Sequence, residues 1–282
     1  MLTTEREYYA EESLFHGFVP RVMGTRFDLL IAGIDSPRAD ALWERTAALL
    51  ELLNRVFDRF DPASEVARVN AAAARTPVAV GPELGEALQL CRAYRERTEG
   101  LFDITLRDFT RVRLDTEAGE TRVRFDGEDT SLDFGGFAKG YALKKIDALL
   151  REAGVGSAFV DFGNSSILGI GRHPYGPCWR VSLPDPATGG AMAEFDLEDR
   201  ALSVSGNTDP YGAHRRSAQR PSQRRADDGG RRGGRSARRR GGEHRMDDRR
   251  RGTEKTHRPE FRRAGCLHIY LASWIGTMKR RE

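Results

Sequence analysis

The amino-acid sequence predicts an α+β fold in which mixed sheets pack against helices. Three observations favour this class. Amphipathic helical segments and short apolar strands are mixed along the chain, the late strands follow one another at hairpin-like spacing, and the sequence contains no internal repeat. A regular parallel sheet would instead alternate strand and helix throughout.

The first predicted elements are one strand and two helices. Residues 26–32 form a short apolar strand that Gly33 ends. Residues 39–58 place apolar side chains at helical spacing between charged residues, which is the pattern of an amphipathic helix. A second helix begins behind Pro82 and shows similar spacing.

A third helix and a run of short strands complete the pattern. The helix follows the glycine-rich loop DFGGFAKG, and Gly154 is its expected stop signal. Four short strands are predicted after it, at residues 157–162, 178–183, 193–197 and 201–204.

Charge divides the chain at His214. Residues 1–214 contain 24 Lys and Arg against 34 Asp and Glu, a net charge of about −10, whereas residues 215–282 contain 22 against 8, about +14. Sixteen of residues 215–260 are arginine and only four carry apolar side chains. Such a segment cannot bury enough surface to offset the entropy of ordering it. We therefore expect one domain over residues 1–214 and an Arg-rich, disordered tail over residues 215–282.

Cysteine usage and the N-terminus predict a cytoplasmic protein. Cys91, Cys178 and Cys266 are too far apart for a disulfide framework or a zinc site, and Cys91 has the spacing of a helix-packing residue. The polar, acidic first residues do not resemble a signal peptide. No stretch approaches the roughly 18 apolar residues of a membrane span.

The loop DFGGFAKGY at residues 133–141 is the strongest local signal for chemistry. A strand leads into two adjacent glycines and a helix opens directly after them. Glycines let the backbone approach a phosphate closely, and a helix N-terminus presents free N–H groups to it. Lys139 adds a positive charge at the same place. The alternative interpretation is an ordinary turn with a surface lysine.

Seven short motifs follow one another between residues 23 and 214. They are Met23-Gly24-Thr25, Phe60 with Ser64-Glu65 and Asn70, GLFDIT at 100–105, DFGGFAKGY at 133–141, DFGN at 161–164, WRV through PDP at 179–186, and ALSVSG at 201–206. Their types and order resemble the FAD:protein FMN transferases, the ApbE family. One such motif would be weak evidence, but seven in order are specific.

The resemblance implies an ApbE-like fold and a group-transfer reaction. Members of this family bind FAD and Mg²⁺, transfer the FMN half to a hydroxyl of an acceptor flavoprotein, usually a threonine, and release AMP. Attack on a pyrophosphate phosphorus needs neutralised charge and in-line positioning. FAD as substrate, Mg²⁺ as cofactor and a flavoprotein with a target Thr or Ser as partner are therefore expectations of the resemblance.

The resemblance also assigns three candidate FAD contacts. Met23 lies at a strand end and would be core packing on sequence grounds alone. Phe60 would stack on a ring, with a core position as the alternative. Asp103 would accept a hydrogen bond from the base or ribose, or else cap a turn with Thr105 as partner.

The glycine-rich loop carries the remaining cofactor candidates. Lys139 and the amides of Gly135 and Gly136 are candidates for the pyrophosphate, and the Ala138 carbonyl is a candidate Mg²⁺ ligand. Asp133 is expected to hold the loop rather than to touch the substrate.

Three further residues have two interpretations each. Ser64 and Glu65 are either a helix-capping pair or site residues. His214 is either the general base toward the acceptor hydroxyl or a solvated side chain beside an arginine run.

The chain departs from the family pattern at three places. Lys144 replaces an acidic residue, and Asp161 replaces an asparagine. After His214, the family's IDPxTG and STA motifs, which complete the metal site, are absent. Read from the second base of the His214 codon, the segment HRRSAQRP is compatible with IVDPRSG, and residues 243–248 are compatible with STAWM in the same shifted frame. This suggests that residues 215–282 are the out-of-frame translation of a transferase C-terminus, so that part of the fold is missing.

Two other functions remain open at this point. The Arg-rich tail would suit sequence-independent nucleic-acid binding through phosphates, although few aromatic side chains accompany it. The same scaffold would also suit a protein that binds or hydrolyses FAD, which Mg²⁺-dependent AMP release without an acceptor would distinguish from transfer.

Overall fold

The computed structural model describes residues 2–105, 107–117, 119–184, 188–206, 261–264 and 267–272. These residues form four α-helices and thirteen β-strands. The helices are α1 (Ser36–Phe57), α2 (Glu65–Ala72), α3 (Pro82–Arg97) and α4 (Ala138–Glu152). The strands are β1 (Glu5–Tyr9), β2 (Leu14–Val22), β3 (Thr25–Ala32), β4 (Val78–Val80), β5 (Val112–Glu117), β6 (Glu120–Phe125), β7 (Ser157–Phe162), β8 (Ser166–Ile170), β9 (Trp179–Pro184), β10 (Ala191–Leu197), β11 (Arg200–Gly206), β12 (Phe261–Ala264) and β13 (Leu267–Ala272).

The described strands form three sheets. The largest has eight strands in the order β1-β2-β3-β7-β8-β11-β13-β12, the second has the order β4-β6-β5, and the third is the β9–β10 hairpin. Every described pairing is antiparallel. The predicted α+β class is therefore confirmed.

One face of the large sheet packs against α1 and α4. Phe27, Leu29 and Ile31 alternate along β3 and are fully buried on this face, as the two-residue period of a strand requires. Trp43 of α1 lies directly over Gly17 of β2, where its ring occupies the space that a Cβ atom would need. Glycine at this position is what lets the indole reach the sheet.

The β9–β10 hairpin covers part of the opposite face. Its apolar side chains form a second cluster with residues of β8 and β11. Trp179 stacks on Phe159, with ring centroids 5.3 Å apart, and its Nε1–H donates to the Ile170 carbonyl at 3.1 Å. The sheet is thus buried on both sides over β7 and β8, the strands that lead to the site described below.

The predicted helices and late strands agree with the structure. Gly154 ends α4 with a φ of +71°, and the Val155 N–H donates to the Leu150 carbonyl at 3.0 Å, as in a Schellman-type end. Cys91 is buried on α3, as expected from its spacing. Sequence reasoning missed α2 and the strands β1, β2, β4, β5, β6 and β8, and all of these strands except β2 have six residues or fewer.

Two strands lie in the segment that we expected to be a disordered tail. Leu267–Ala272 pairs with β11, and Phe261–Ala264 pairs with Leu267–Ala272 in turn. The structure differs from the expectation here because the sequence LHIYLA has high β-propensity and β11 offers an edge for pairing. Residues 215–260, which carry the arginine run, lie outside the described residues. None of the described helices has the length and apolar character needed to cross a membrane.

Candidate functional site

The N-terminus of α4 is open. The N–H groups of Phe137 and Ala138 both donate to the Phe134 carbonyl at 2.8 Å, which forms the turn into the helix. No described side chain caps the first turn, and that turn contains no acidic residue. Unpaired N–H groups at a helix start attract anions. Gly136 is exposed, with nothing described within 4 Å of where a Cβ atom would stand, so the approach is free.

Lys139 lies in this first turn and reaches toward the β7–β8 connection. Its Nζ donates to the Ser165 Oγ. Burial lowers the pKa of Lys139 from its ordinary value, and the Asp161 carboxylate acts in the opposite direction. The predicted phosphate candidate is therefore a half-buried lysine held at the open helix start.

The β7–β8 turn is held by several side-chain hydrogen bonds. Gly163 and Asn164 have φ values of +67° and +57°, and the Asn164 N–H donates to Asp161 Oδ1 at 2.7 Å. Arg26 donates to Asp161 Oδ2 at 2.9 Å and to Asn164 Oδ1 at 2.7 Å. The departure at Asp161 thus has a structural explanation, because a carboxylate both caps this turn and pairs with Arg26.

The Met23-Gly24 turn lies beside the β7–β8 turn. Met23 has a φ of +48°, an uncommon backbone conformation for a residue with a side chain, and its N–H donates to Asn54 Oδ1 at 2.9 Å. Its side chain packs partly against the main core. Thr25 fills the space where a Cβ atom on Gly163 would stand, so the two turns are in contact.

Asp133 holds the glycine-rich loop, as expected. Its Oδ1 accepts from the Gly135 N–H and its Oδ2 accepts from Arg59, both at 2.8 Å. The Gly135 N–H therefore has a partner within the protein. Of the two predicted amides, Gly136 is the one that lies in open space.

Asn70 fixes the backbone that enters this loop. Its Oδ1 accepts from the Leu132 N–H at 2.7 Å and its Nδ2 donates to the Leu132 carbonyl at 3.0 Å. Upstream, Ser64 caps α2 by accepting from the Ala67 N–H at 3.1 Å, and Glu65 accepts from the Gly81 N–H at 2.5 Å. Both side chains therefore accept hydrogen bonds from backbone N–H groups, as the structural interpretation of this pair predicts.

Asp103 makes the turn-capping contacts that were its alternative role. Its Oδ1 accepts from the Thr105 N–H at 2.8 Å and from the Thr105 hydroxyl at 2.6 Å. Its Oδ2 accepts from the Phe109 N–H at 2.9 Å and from Arg95 at 3.2 Å. The neighbouring Ile104 carbonyl accepts from the Asp133 N–H at 2.7 Å, which joins this turn to the glycine-rich loop.

Phe60 is a surface residue. Its side chain is 86% exposed, so the core alternative is wrong. The Arg59 guanidinium lies 5.4 Å from the ring centroid, and both residues line an open cavity of about 640 Å³ beside α2. Because Arg59 also binds Asp133, this aromatic surface adjoins the loop that leads into α4.

The candidate Mg²⁺ ligand is Ala138 and the candidate base is His214. Ala138 is the first residue of α4 and is buried. Among the described residues, no group of three or more His, Cys, Asp or Glu side chains is placed to hold a metal ion. His214 lies outside the described residues. The strand that precedes it passes the site, since the Val204 N–H donates to the Ser165 carbonyl at 2.8 Å.

Lys144, the other departure from the family pattern, takes part in an ion cluster between α3 and α4. It donates to Glu86 Oε1 at 3.0 Å, and Lys145 donates to Glu86 Oε2 at 2.6 Å. The Tyr141 hydroxyl oxygen lies 2.6 Å from Glu83 Oε2 and 2.9 Å from Glu86 Oε2, so the two carboxylates share its single donor proton. Lys144 is therefore paired with Glu86, away from the open N-terminus of α4.

Sequence reasoning missed four residues that hold the site together. They are Arg26, Asn54, Arg59 and Ser165. Each acts on a residue at least 26 positions away, so no local pattern could reveal the pairing. Arg59 alone had a weak signal, because it directly precedes Phe60.

Comparison with known proteins connects this arrangement to one family. A family model described as "ApbE family" matches residues 23–113 and 106–220. The chain is 28% identical over 219 residues to FAD:protein FMN transferase from Rhodobacter capsulatus, covering 67% of this chain and 41% of that protein. It is 21% identical over 223 residues to FAD:protein FMN transferase from Klebsiella pneumoniae, covering 68% and 63%.

Solved structures show the same fold. Flavin transferase ApbE from Vibrio cholerae superposes with a TM-score of 0.60 at 18% identity, covering 76% of each chain. The apo flavinyl transferase ApbE from Pseudomonas stutzeri gives 0.59 at 19% identity, covering 73% of this chain and 69% of that one. The chain spans 41% and 63% of the lengths of the two curated relatives above. Because the family model matches well over half of its residues, the chain belongs to the ApbE family.

Proposed function

We propose that this chain is built for Mg²⁺-dependent transfer of FMN from FAD to a Thr or Ser hydroxyl of an acceptor flavoprotein, with release of AMP. The observation that carries this proposal is the open N-terminus of α4, with Lys139 in its first turn and the Met23-Gly24 and β7–β8 turns beside it. The curated relatives carry the matching name.

The geometry suits a pyrophosphate better than a neutral ligand. The Gly136 amide and the first-turn N–H groups of α4 supply hydrogen-bond donors, and Lys139 supplies a positive charge. Such donors stabilise charge on the phosphoryl oxygens without moving during the reaction. Phe60 and Arg59 offer a flat, cationic surface on which a ring of FAD would stack. Met23 and Asp103 act in this proposal by shaping the turns around the nucleotide.

We also propose Mg²⁺ as the cofactor and His214 as the general base. When bound, Mg²⁺ would neutralise phosphate charge. Among the described residues, no group of three or more His, Cys, Asp or Glu side chains could hold the ion. The Ala138 carbonyl is the single ligand that we propose, and His214 is the proposed base toward the acceptor hydroxyl. A cytoplasmic location likewise remains a prediction.

The family resemblance weakens after His214, and we propose a frameshift as the cause. The family match ends at residue 220, and the chain lacks the IDPxTG and STA motifs in its own frame. Resequencing the gene from independent DNA across codons 205–250 tests this. A shifted frame that encodes IVDPRSG followed by STAWM supports the hypothesis, whereas any other reading makes the arginine-rich segment a genuine part of the protein.

Binding of FAD to the full chain tests the central proposal. Flavin fluorescence would follow FAD titration in the presence of two competitors. ADP retains the pyrophosphate and the adenosine half, so it should displace FAD, whereas riboflavin lacks any phosphate and should displace it poorly. Equal competition by both would contradict a pyrophosphate site at α4. Chromatography for AMP, with and without Mg²⁺, then reports cleavage of the bound FAD.

The nucleic-acid alternative rests on residues 215–260, which lie outside the described residues, and it remains a prediction. Binding to an oligonucleotide that falls steeply with added salt, in a chain with no affinity for FAD, would favour it.

A further inference from the structure

Ser165 is a hydroxyl in direct contact with the lysine of the candidate site. It accepts a hydrogen bond from Lys139 Nζ and is partly exposed in the turn between β7 and β8. Its backbone is fixed on both sides. The Ser165 carbonyl accepts from the Val204 N–H at 2.8 Å, and Asn164 is held by Asp161 and Arg26. The hydroxyl is therefore preorganised beside the open start of α4.

We propose that Ser165 is an internal acceptor, to which this chain attaches FMN through a phosphoester bond. This inference rests on the proposed function, because it requires FAD at the N-terminus of α4. A phosphate held by the helix N–H groups and Lys139 would lie next to the Ser165 hydroxyl, which Lys139 already contacts. Holding nucleophile and phosphorus together in this way removes much of the entropic cost of the reaction.

The transfer is balanced with water as the proton acceptor. The Ser165 Oγ forms a new bond to the phosphorus of the FMN half, and the bond from that phosphorus to the bridging oxygen breaks. AMP leaves with the bridging oxygen and the bonding electron pair. The hydroxyl proton passes to a water molecule, since Ser165 is partly exposed. Lys139 stays protonated, donates to the phosphate oxygens and holds the Ser165 Oγ beside them.

Neighbouring hydroxyls are less suitable acceptors. Ser64 and Thr105 are each 1% exposed and already serve in capping contacts. Ser166 follows Ser165 directly but is 6% exposed. Thr25 is packed against Gly163. Ser165 is thus distinguished from these four described hydroxyls by combining exposure with contact to a lysine.

Mass spectrometry of the full chain tests the proposal. The protein is incubated with FAD and Mg²⁺, denatured and washed, and then analysed for covalently bound flavin. AMP release and FAD binding are measured in the same sample. Cleavage with trypsin gives a peptide ending at Arg172 that contains Ser157, Ser165 and Ser166, so fragmentation must assign the label among these three serines. We expect one phosphoflavin on Ser165.

Three variants sharpen this test. Ser165→Ala should lose the label, and Ser165→Thr should retain it because a hydroxyl remains. Ser182→Ala removes an exposed serine of β9 and should be labelled like the unmodified chain. Assignment of the label in the unmodified chain decides the question even if Ser165→Ala folds poorly.

The outcomes separate the two proposals. FAD binding or AMP release without flavin on Ser165, or flavin on another residue, overturns the internal acceptor and leaves the proposed function intact. Absence of FAD binding, AMP release and covalent flavin together overturns both.

Discussion

The N-termini of α2 and α4 differ in whether a side chain of the protein caps the N–H groups of the first turn. Each helix start presents N–H groups without helical partners and a partial positive charge. At α2 the protein fills this position itself, with the buried Ser64 side chain as cap and Glu65 in the first turn. At α4 no described side chain does so, and the first turn contains Lys139 instead of an acidic residue.

The difference indicates which helix is structural and which is available to a ligand. A closed start stabilises the fold, whereas an open start leaves donors for an anion at some cost in stability. Departures from local capping rules are expected mainly at functional sites. The four predictions below test this contrast, starting with the largest expected effect.

Removal of the positive charge at the open helix should weaken FAD binding most. Lys139→Met keeps much of the side-chain volume but loses a charged donor, which is worth about 1.5–3 kcal/mol, or roughly 10- to 100-fold in the dissociation constant. Flavin fluorescence titration measures the change. Lys144→Met is the matched control, because Lys144 belongs to the same helix but binds Glu86. Equal weakening by both variants would contradict a specific role for Lys139.

Loss of the Asn70 amide should affect both stability and binding. Asn70→Ala leaves the N–H and the carbonyl of Leu132 without their side-chain partner, so we expect the free energy of unfolding to fall by about 2 kcal/mol. FAD affinity should fall as well, since Leu132 directly precedes the glycine-rich loop. Urea denaturation and FAD titration measure the two effects. Gln89→Ala, at an exposed side-chain amide of α3, should change neither property. An Asn70 variant as stable as this control would contradict a stabilising role for the two Asn70–Leu132 hydrogen bonds.

Removal of the cap at the closed helix should affect stability alone. Ser64→Ala should lower the free energy of unfolding by about 1 kcal/mol, because the Ala67 N–H loses its acceptor. FAD affinity should stay unchanged, and Ser64→Thr should restore most of the stability. Thermal unfolding and FAD titration provide the measurements. A Ser64→Ala variant that loses FAD binding while unfolding normally would mean that α2 also contributes to the site.

The smallest expected effect is a pH dependence at the flank of α4. Partial burial by itself raises the pKa of Glu86, but hydrogen bonds from the two lysines and from the Tyr141 hydroxyl outweigh it and lower that pKa to about 2. Because its pKa is lower in the folded state than in the unfolded state, ionised Glu86 stabilises the fold at pH values above the ordinary pKa of 4.5. This stabilisation is lost as the pH falls toward 2.

Glu86→Gln removes this titration. At pH 7 the free energy of unfolding of this variant should be lower than that of the unmodified chain by less than about 1 kcal/mol, because Glu86 is partly exposed. The difference should shrink between pH 4.5 and 2. Thermal unfolding across this range measures it. Glu96→Gln, at an exposed position of the same helix, should show no such trend. If Glu86→Gln is still less stable than the unmodified chain by the same amount at the lowest pH, packing rather than charge causes the loss of stability.

Local sequence patterns were sufficient for the long helices and for the family. The spacing of apolar residues predicts α1, α3 and α4 because a helix repeats every 3.6 residues and buries one face. It fails for β2, where Gly17 and Pro20 interrupt the pattern, and for the β5–β6 hairpin, where Arg and Glu occupy the solvent-facing positions. In those strands it is pairing with neighbours that determines the structure.

The sequence by itself therefore determined the α+β class, the order of the seven motifs, the glycine-rich helix start and Lys139 as its charged residue. Only the tertiary structure decided how these parts meet. Pairing of Arg59 with Asp133 and of Arg26 with Asn164 joins residues 74 and 138 positions apart. Such contacts depend on how strands and helices pack, which no local period encodes. The sequence left two roles open for Asp103, a nucleotide contact or a turn cap with Thr105, and in the structure its carboxylate accepts from the N–H groups of Thr105 and Phe109.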